Sequence, residues 1–430
     1  MTSAVFDPPP LGKGDREAVE GPPQPLPFDV HAARARFPIL SRQINGRPLV
    51  YLDSAASAQK VDACIDAMVR AMTSSYSNVH RGLHTLANET TDAYEAARAS
   101  VARFVNAPSP DQVVFTKGAT EAINLVAASL GLELKAGDEI VVSALEHHAN
   151  IVPWHFLRER KGIVLKFMPV RDDGAIDLDA GLKLIGPKTK VVALSHMSNV
   201  TGAILDPASV IAAAKAVGAL TLLDGCQAVV HQRVDVQALG CDFYVFSGHK
   251  LFGPTGIGAL VGREAALARL APYQGGGEMI GTVAMDLITY ADPPHRFEAG
   301  TPPILEAIGW GAALDWLMTQ DREAIAAHEH ALYGRALERL EGHNWLRVLG
   351  DSPGKGAILS FMVEGAHAHD IAQLLDRYGV AVRAGTHCAE PLARHFGITS
   401  SARASFALYN TLEEADAFAD ALIKAQSFFS

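Results

Sequence analysis

The chain has 430 residues, 49% of them hydrophobic and 20% charged, a globular make-up too long for one simple core, so two or three domains are expected. A formal charge of -10 argues against nucleic acid or an anionic membrane as the main partner. No stretch of about 18 apolar residues offers a membrane-spanning helix. The four cysteines, Cys64, Cys226, Cys241 and Cys388, show no Cys-x-x-Cys spacing. Neither a disulfide scaffold nor a metal site is indicated, and a reducing cytoplasm fits.

Residues 1–30 are rich in Pro, Gly and charge, with Pro8-Pro9-Pro10 and Gly21-Pro22-Pro23. They lack the apolar core of a signal peptide and the Arg/Ser bias of a transit peptide, and read as a disordered tail. Residues 31–48 form an N-terminal segment expected to pack with a small C-terminal domain. From 49 to 315, short apolar runs alternate with helical patterns. The strands expected are Val113–Thr116, Glu139–Val142, Val191–Ser195, Leu220–Leu223 and Phe243–Phe246, with a helix from Thr120 and an Ala-rich one before Leu220. This alternation predicts an α/β domain around a mostly parallel sheet, with ligands at the carboxyl ends of its strands. After Thr301-Pro302 come a long helix Ile304–Met318, an amphipathic helix through Leu340, and strands near Ala357–Phe361 and Val380–Arg383. Residues 316–430 read as a smaller α+β domain.

Ser247-Gly248-His249-Lys250-Leu251-Phe252-Gly253-Pro254 follows the run Phe243–Phe246 directly. A strand ending in such a turn holds the Lys250 amine at a sheet edge, which suits the Schiff-base lysine of pyridoxal phosphate. A lone loop lysine is otherwise a surface residue, and its partners along the chain decide the reading. Asp224, just past a strand, can hold a pyridine nitrogen protonated, although it serves equally as a turn or helix cap. Gln227 and Asn199 are candidates for the ring hydroxyl. Lys117-Gly118-Ala119-Thr120 joins strand to helix and offers backbone N–H groups and the Thr120 hydroxyl to a phosphate, with Ser247 and His249 as further donors. Ordinary helix N-caps look the same.

In Glu146-His147-His148-Ala149-Asn150 a histidine can lie on the pyridine face or act as acid or base. Adjacent histidines point in different directions and make poor metal ligands. His148 taken alone reads as structural. Cys64 and Cys241 read as small buried apolar residues. Cys388 differs, because Arg383-Ala384-Gly385-Thr386-His387-Cys388-Ala389 is a polar loop whose cations favour a thiolate, with Glu390 opposing them. Arg403 can clamp a carboxylate bidentately.

These motifs, with Tyr51-Leu52-Asp53-Ser54-Ala55-Ala56, Asn78-Val79-His80-Arg81-Gly82, Glu146 to Trp154, Asp242 to Lys250, Phe297-Glu298-Ala299-Gly300-Thr301-Pro302 and Leu408-Tyr409-Asn410-Thr411, are similar to those of the group II (SufS/CsdA-like) cysteine desulfurases. That family belongs to the pyridoxal-phosphate enzymes of fold type I, aminotransferase class V. The resemblance implies a large, mostly parallel sheet flanked by helices and a smaller α+β C-terminal domain. It makes Lys250 the cofactor lysine, Cys388 the sulfur acceptor and His147 the residue stacked on the ring. Asp224 and Gln227 become ring contacts; Ala119, Thr120, Ser247 and His249 become phosphate ligands, joined by Thr301 across a homodimer interface. Arg403, Asn199 and Ala55 then contact the substrate, while Arg383, His80 and Arg81 line the site around the acceptor thiol. Cys226, where Ala is usual, Thr386, where His is frequent, and Glu390 depart from the pattern.

The implied reaction turns L-cysteine into L-alanine and leaves the sulfur on Cys388 as a persulfide, for iron–sulfur cluster assembly, with L-selenocysteine as a further substrate. A small acceptor of the SufE or SufU type is implied as partner. The rival readings are a selenocysteine lyase or cysteine-sulfinate desulfinase and, from another class, a non-catalytic sulfur-assembly scaffold. An aminotransferase needs no cysteine loop.

Overall fold

Runs of Val, Leu, Ile and Phe too short for helices build the main sheet, where β-branched and aromatic side chains pack well. The computed structural model describes residues 28–429. Its seven-stranded sheet comprises β1 (Val113–Thr116), β2 (Glu139–Ser143), β3 (Val164–Met168), β4 (Thr189–Ser195), β5 (Leu220–Asp224), β6 (Phe243–Ser247) and β7 (Gly258–Gly262). The order across the sheet is β1-β7-β6-β5-β4-β2-β3. Strands β2 to β6 pair in parallel, and β7 runs antiparallel to both β6 and β1. Strands β1, β6 and β7 are buried along their whole length. Their sequences are accordingly continuous apolar runs rather than alternating ones, as expected of a sheet covered on both faces.

The parallel direction gathers four polar strand ends at one edge: Ser143, Ser195, Asp224 and Ser247. Helices α1 (Thr85–Phe104), α2 (Ala119–Gly131) and α3 (Ile304–Met318) pack around this sheet. Gly311 lets α3 lie directly on α1, since a Cβ there would meet the Ala97 Cβ at 2.7 Å. The expected domain boundary at residue 315 falls inside α3.

A second, antiparallel sheet holds β8 (Leu346–Leu349), β9 (Ile358–Val363), β10 (Arg383–Gly385) and β11 (Ser401–Ser405), in the order β8-β9-β11-β10. Helices α4 (Arg322–Leu340), α5 (Ala368–Arg377), α6 (Glu390–His395) and α7 (Leu412–Gln426) accompany it. Leu332, Phe361, Leu375, Phe418 and Leu422 fill its core. The strand expected over Val380–Arg383 is split. Val380–Ala381 pairs in parallel with Val50–Tyr51, while Arg383 opens β10.

The tail expected over 1–30 lies, through residue 27, outside the described residues; Val30 already opens a helix capped by Asp29. The segment that follows touches both parts of the molecule. Arg34 pairs with Glu414 at 2.8 Å, and Phe37 packs on Tyr409, Phe252 and Trp316. No helix among the described residues is long and apolar enough to cross a membrane.

Candidate active site

A cavity of about 380 Å³ opens where the carboxyl ends of β4, β5 and β6 face the loop between β10 and α6. Lys250, Asp224, Gln227, Asn199, His147, Ala55, Ala119, Thr120, Ser247, His249, Arg383, Arg403 and Cys388 all line it. Residues from eight separate stretches of sequence thus meet in one place.

One end of the cavity is an anion cradle. Strand β1 leads through Gly118 into α2, whose N-terminus has no side-chain cap. The N–H groups of Thr120 and Glu121 in the first turn are therefore available to a phosphate at the positive end of the helix dipole. Gly118 has φ 151, a conformation that L residues rarely adopt. Ser247 Oγ closes the cradle by accepting the Ala119 N–H at 2.9 Å. Burial pushes His249 down to about 4, with the Lys250 charge adding to it, so its imidazole is neutral near pH 7.

The middle of the cavity holds groups suited to a pyridine ring. Asp224 is buried and accepts one N–H, from Cys226 at 3.0 Å, which leaves acceptor capacity for a ring N–H. Gln227 is fixed by donation to the Ala55 carbonyl at 2.8 Å. The Nδ1 of His147 accepts the Ala149 N–H at 3.1 Å, and burial together with the Lys250 charge lowers its pKa to about 4. Lys250 ends the tight turn Gly248–Lys250 after β6.

Beneath His147 lies a carboxylate that motif reading left without a role. Glu146 is fully buried and accepts from Ser143 Oγ at 2.5 Å, Ser195 Oγ at 2.6 Å and Asn150 Nδ2 at 2.7 Å. It ties the ends of β2 and β4 to the turn that carries both histidines. Burial raises its pKa to about 7 against the pull of these three donors.

The far wall is the cysteine loop. Cys388 is exposed, whereas Cys64, Cys226 and Cys241 are buried. Burial lifts those three thiols to about 11, 12 and 12, so they stay protonated and unreactive near neutral pH. His387 and Cys388 both adopt positive φ, 53 and 57. The loop is tied down on several sides. Its His387 carbonyl accepts from Asn199 Nδ2 at 2.7 Å, and its Cys388 carbonyl accepts the His148 N–H at 2.7 Å. His148 Nε2 accepts the Glu390 N–H at 3.1 Å.

Arg403 is 2% exposed and donates from Nη1 to the Asn199 carbonyl at 2.8 Å. Its buried Nε has no hydrogen-bond partner. Nε is therefore free to donate to a carboxylate oxygen, and the neighbouring Nη2 stands 3.6 Å from Asp53 Oδ1. Burial lowers the Arg403 pKa to about 10, offset by Asp53.

Three residues expected at the site stand apart from this cavity. His80 lies 3.0 Å from Glu95, Arg81 pairs with Glu278 at 2.9 Å, and Thr301 opens onto a neighbouring cavity with Lys117 and Tyr273. Glu95 and Glu278 hold His80 and Arg81 outside the lining of this cavity.

The sequence and the fold have close counterparts. The Aminotransferase class-V family matches residues 50–418. A cysteine desulfurase of Serratia proteamaculans is 47% identical over 93% of this chain and 99% of its own. A probable cysteine desulfurase of Streptomyces coelicolor is likewise 47% identical, over 94% and 98%. The chain belongs to the class-V aminotransferase family, among its cysteine desulfurases. The crystal structure of the cysteine desulfurase CsdA from Escherichia coli superposes with a TM-score of 0.88 at 40% identity, covering 94% of this chain and all of that one.

As a family member the chain is a pyridoxal-phosphate-dependent enzyme of cysteine desulfuration, and the cavity fits that cofactor. The uncapped α2 terminus with Thr120, Ser247 and His249 suits its phosphate, Asp224 its ring nitrogen and Lys250 its carbonyl carbon. Sequence reading passed over two site residues, Asp53 and Glu146. Both stand inside the motifs quoted above, but their charge acquires meaning only from partners far along the chain.

Proposed function

We propose that the enzyme takes sulfur from L-cysteine onto Cys388 as a persulfide and passes it to a small acceptor protein for iron–sulfur cluster assembly in the cytoplasm. The observation that carries this reading is the meeting in one cavity of Lys250 and Asp224 with the exposed Cys388 and the free Nε of Arg403. A simple aminotransferase has no use for the thiol.

Bound here, pyridoxal phosphate supplies the electron sink that allows an amino acid to lose its Cα proton. The Nε and Nη2 groups of Arg403 take the substrate carboxylate, and Asn199 fixes that guanidinium through its carbonyl. Lys250 Nζ removes the Cα proton. The neutral His147 imidazole would stand against the bound cofactor and can donate a proton from Nε2, because Nδ1 already accepts from Ala149. Cys388, as thiolate, attacks the substrate sulfur. The carbon–sulfur bond breaks with its electron pair left on Cβ; a proton taken up there and the return of the Cα proton from Lys250 complete alanine, while the sulfur stays on Cys388.

A homodimer agrees with Thr301, His80 and Arg81 lying outside the cavity of their own chain. The hairpin formed by Ile280–Val283 and Ile288–Tyr290 exposes Val283, Met285, Leu287, Ile288 and Tyr290, an apolar display that monomers seldom leave uncovered. The decisive experiment is Cys388→Ala. The variant should keep the visible cofactor absorbance yet lose alanine and persulfide formation from L-cysteine by about 100-fold or more, the scale of losing a catalytic nucleophile. Substantial desulfuration by this variant would refute the role given to Cys388.

A further inference from the structure

Lys250 is carried by a turn that a second lysine grips. The turn Gly248–Lys250 follows β6, and the segment 57–61, between the short strand Val50–Tyr51 and the helix Asp62–Arg70, lies against it. The His249 carbonyl, one residue before Lys250, receives three donors from that segment: the Ala58 N–H at 3.0 Å, Lys60 Nζ at 3.2 Å and Ser57 Oγ at 3.4 Å. Two residues beyond Lys250, the Phe252 carbonyl accepts the Val61 N–H at 3.3 Å. The backbone of Lys250 is thus bracketed on both sides by one stretch of chain.

Lys60 is the charged member of this clasp. Its ammonium also donates to the Ala58 carbonyl at 2.7 Å and reaches Ser57 Oγ at 3.5 Å, so all three of its donors go to uncharged oxygens. Burial lowers its pKa to about 8, and at pH 7 it remains protonated. A hydrogen bond from an ionised donor is about twice as strong as a neutral one, which makes the Lys60 bond the firmest of the three. Lys60 does not line the cavity, and its effect on the reaction must pass through Lys250. The same stretch of chain reaches the opposite wall. Ala55, which lines the cavity, donates its N–H to Ser405 Oγ at 2.9 Å, and Ser405 ends β11, the strand of Arg403. The stretch from Ala55 to Lys60 therefore runs from the strand that bears the carboxylate clamp to the turn that bears the Lys250 amine.

We propose that Lys60 is a positioning residue for proton transfer at Cα: by gripping the His249 carbonyl it holds the Lys250 amine at its working distance from an amino acid anchored on Arg403. The inference rests on the roles proposed above for Arg403 and Lys250. It separates proton transfer from binding, because the Arg403 clamp stays intact without Lys60 whereas the lysine turn loosens. A misplacement of about 1 Å at a reacting group costs on the order of 100-fold, and losing the firmest of three ties should cost about tenfold.

L-Alanine, the product, isolates this step. In D2O its Cα proton is removed by Lys250 and replaced by deuterium, and Cys388 has no part in the exchange. Wild-type, Lys60→Met and Ser57→Ala holoenzymes are compared at pH 7 by three measurements: loss of the alanine Cα signal in proton NMR, the alanine dissociation constant from the visible absorption of the cofactor, and amide hydrogen exchange across residues 248–253. Lys60→Met keeps the length of the side chain without its donors. It should slow deuteration about tenfold, leave the dissociation constant within about twofold, and speed amide exchange about tenfold. Ser57→Ala removes the longest of the three ties and should slow deuteration about threefold; it carries the test if Lys60→Met does not fold. An unchanged deuteration rate overturns the proposal, as does a rate that falls only in proportion to alanine binding, or unchanged amide exchange. Alanine release from L-cysteine by the wild type separates two failures. If it is absent, the functional reading falls and takes this inference with it; if it is present and the variants deuterate alanine as fast as wild type, only the inference falls.

Discussion

Glu146→Gln tests whether the buried carboxyl below His147 is tolerated for its shape rather than for its charge. Burial raises its pKa from 4.5 to about 7 even though three donors point at it. A displacement of that size disfavours the charged form in the folded protein by about 3 kcal/mol. The direction follows from proton counts. Between pH 4.5 and about 7 the folded state binds the proton more tightly than the unfolded state, so stability contributed by this group falls as pH rises through that window. Below the window the cost is absent, and above it the cost is complete. Glutamine keeps an acceptor for the Asn150 amide and the Ser195 hydroxyl, which share one carboxylate oxygen, and the Ser143 hydroxyl at the other can rotate to accept from its NH2. The substitution therefore removes a titration while retaining most of the hydrogen bonding. Thermal midpoints of wild type and variant holoenzyme at pH 5, 6, 7 and 8 should diverge in favour of the variant as pH rises, by a few degrees at pH 8. All other titrating groups are common to the two proteins. A difference that stays flat, or that falls with pH, would refute this account of Glu146.

Two further substitutions address the walls of the cavity. Arg403→Lys retains a positive charge but loses the Nε and Nη2 edge, so KM for L-cysteine should rise about 100-fold with a smaller change in kcat, measured as steady-state alanine release. An unchanged KM would remove Arg403 from substrate binding. His148→Ala deletes the acceptor used by the Glu390 N–H, and hydrogen exchange across Thr386–Glu390 should speed up by about tenfold, the worth of one hydrogen bond. Unchanged protection would show that the loop is held by its other ties alone.

Most of the main sheet was legible where burial on both faces gives a largely apolar run, although β7, buried throughout but bounded by glycines, was not. β2, β5 and β6 were legible in this way. β3 escaped because it is an edge strand with Lys166 at its centre, paired to Glu139 at 2.6 Å. β11 escaped for the opposite reason. Ser401-Ala402-Arg403-Ala404-Ser405 is buried throughout, yet its small side chains and its arginine carry almost no hydrophobic signal. Position in the interior is conferred there by neighbours and by Asn199, not by composition. The site shows the same divide. Lys250, Asp224 and Cys388 stand in short motifs whose chemistry can be read locally, whereas Asp53 and Glu146 are ordinary acids until the fold delivers Arg383, Arg403 and Ser195 to them.

The geometry of the cysteine loop bears on how sulfur leaves. Only Thr386–Ala389 lie between β10 and α6, and two successive non-glycine residues, His387 and Cys388, sit in the left-handed region. Each such residue costs on the order of 1 kcal/mol and persists only where its surroundings hold it. Asn199 holds the His387 carbonyl, the His148 N–H holds the Cys388 carbonyl, and Ser401 Oγ lies 3.0 Å from His387 Nε2. A loop meant to carry its sulfur outward would have to break these contacts on every cycle and relax from the strained form that aims the thiol into the cavity. Slack is absent where a swinging arm would need it. If Cys388 takes the sulfur as proposed, these contacts favour an acceptor that comes to the thiol over a loop that swings out to it.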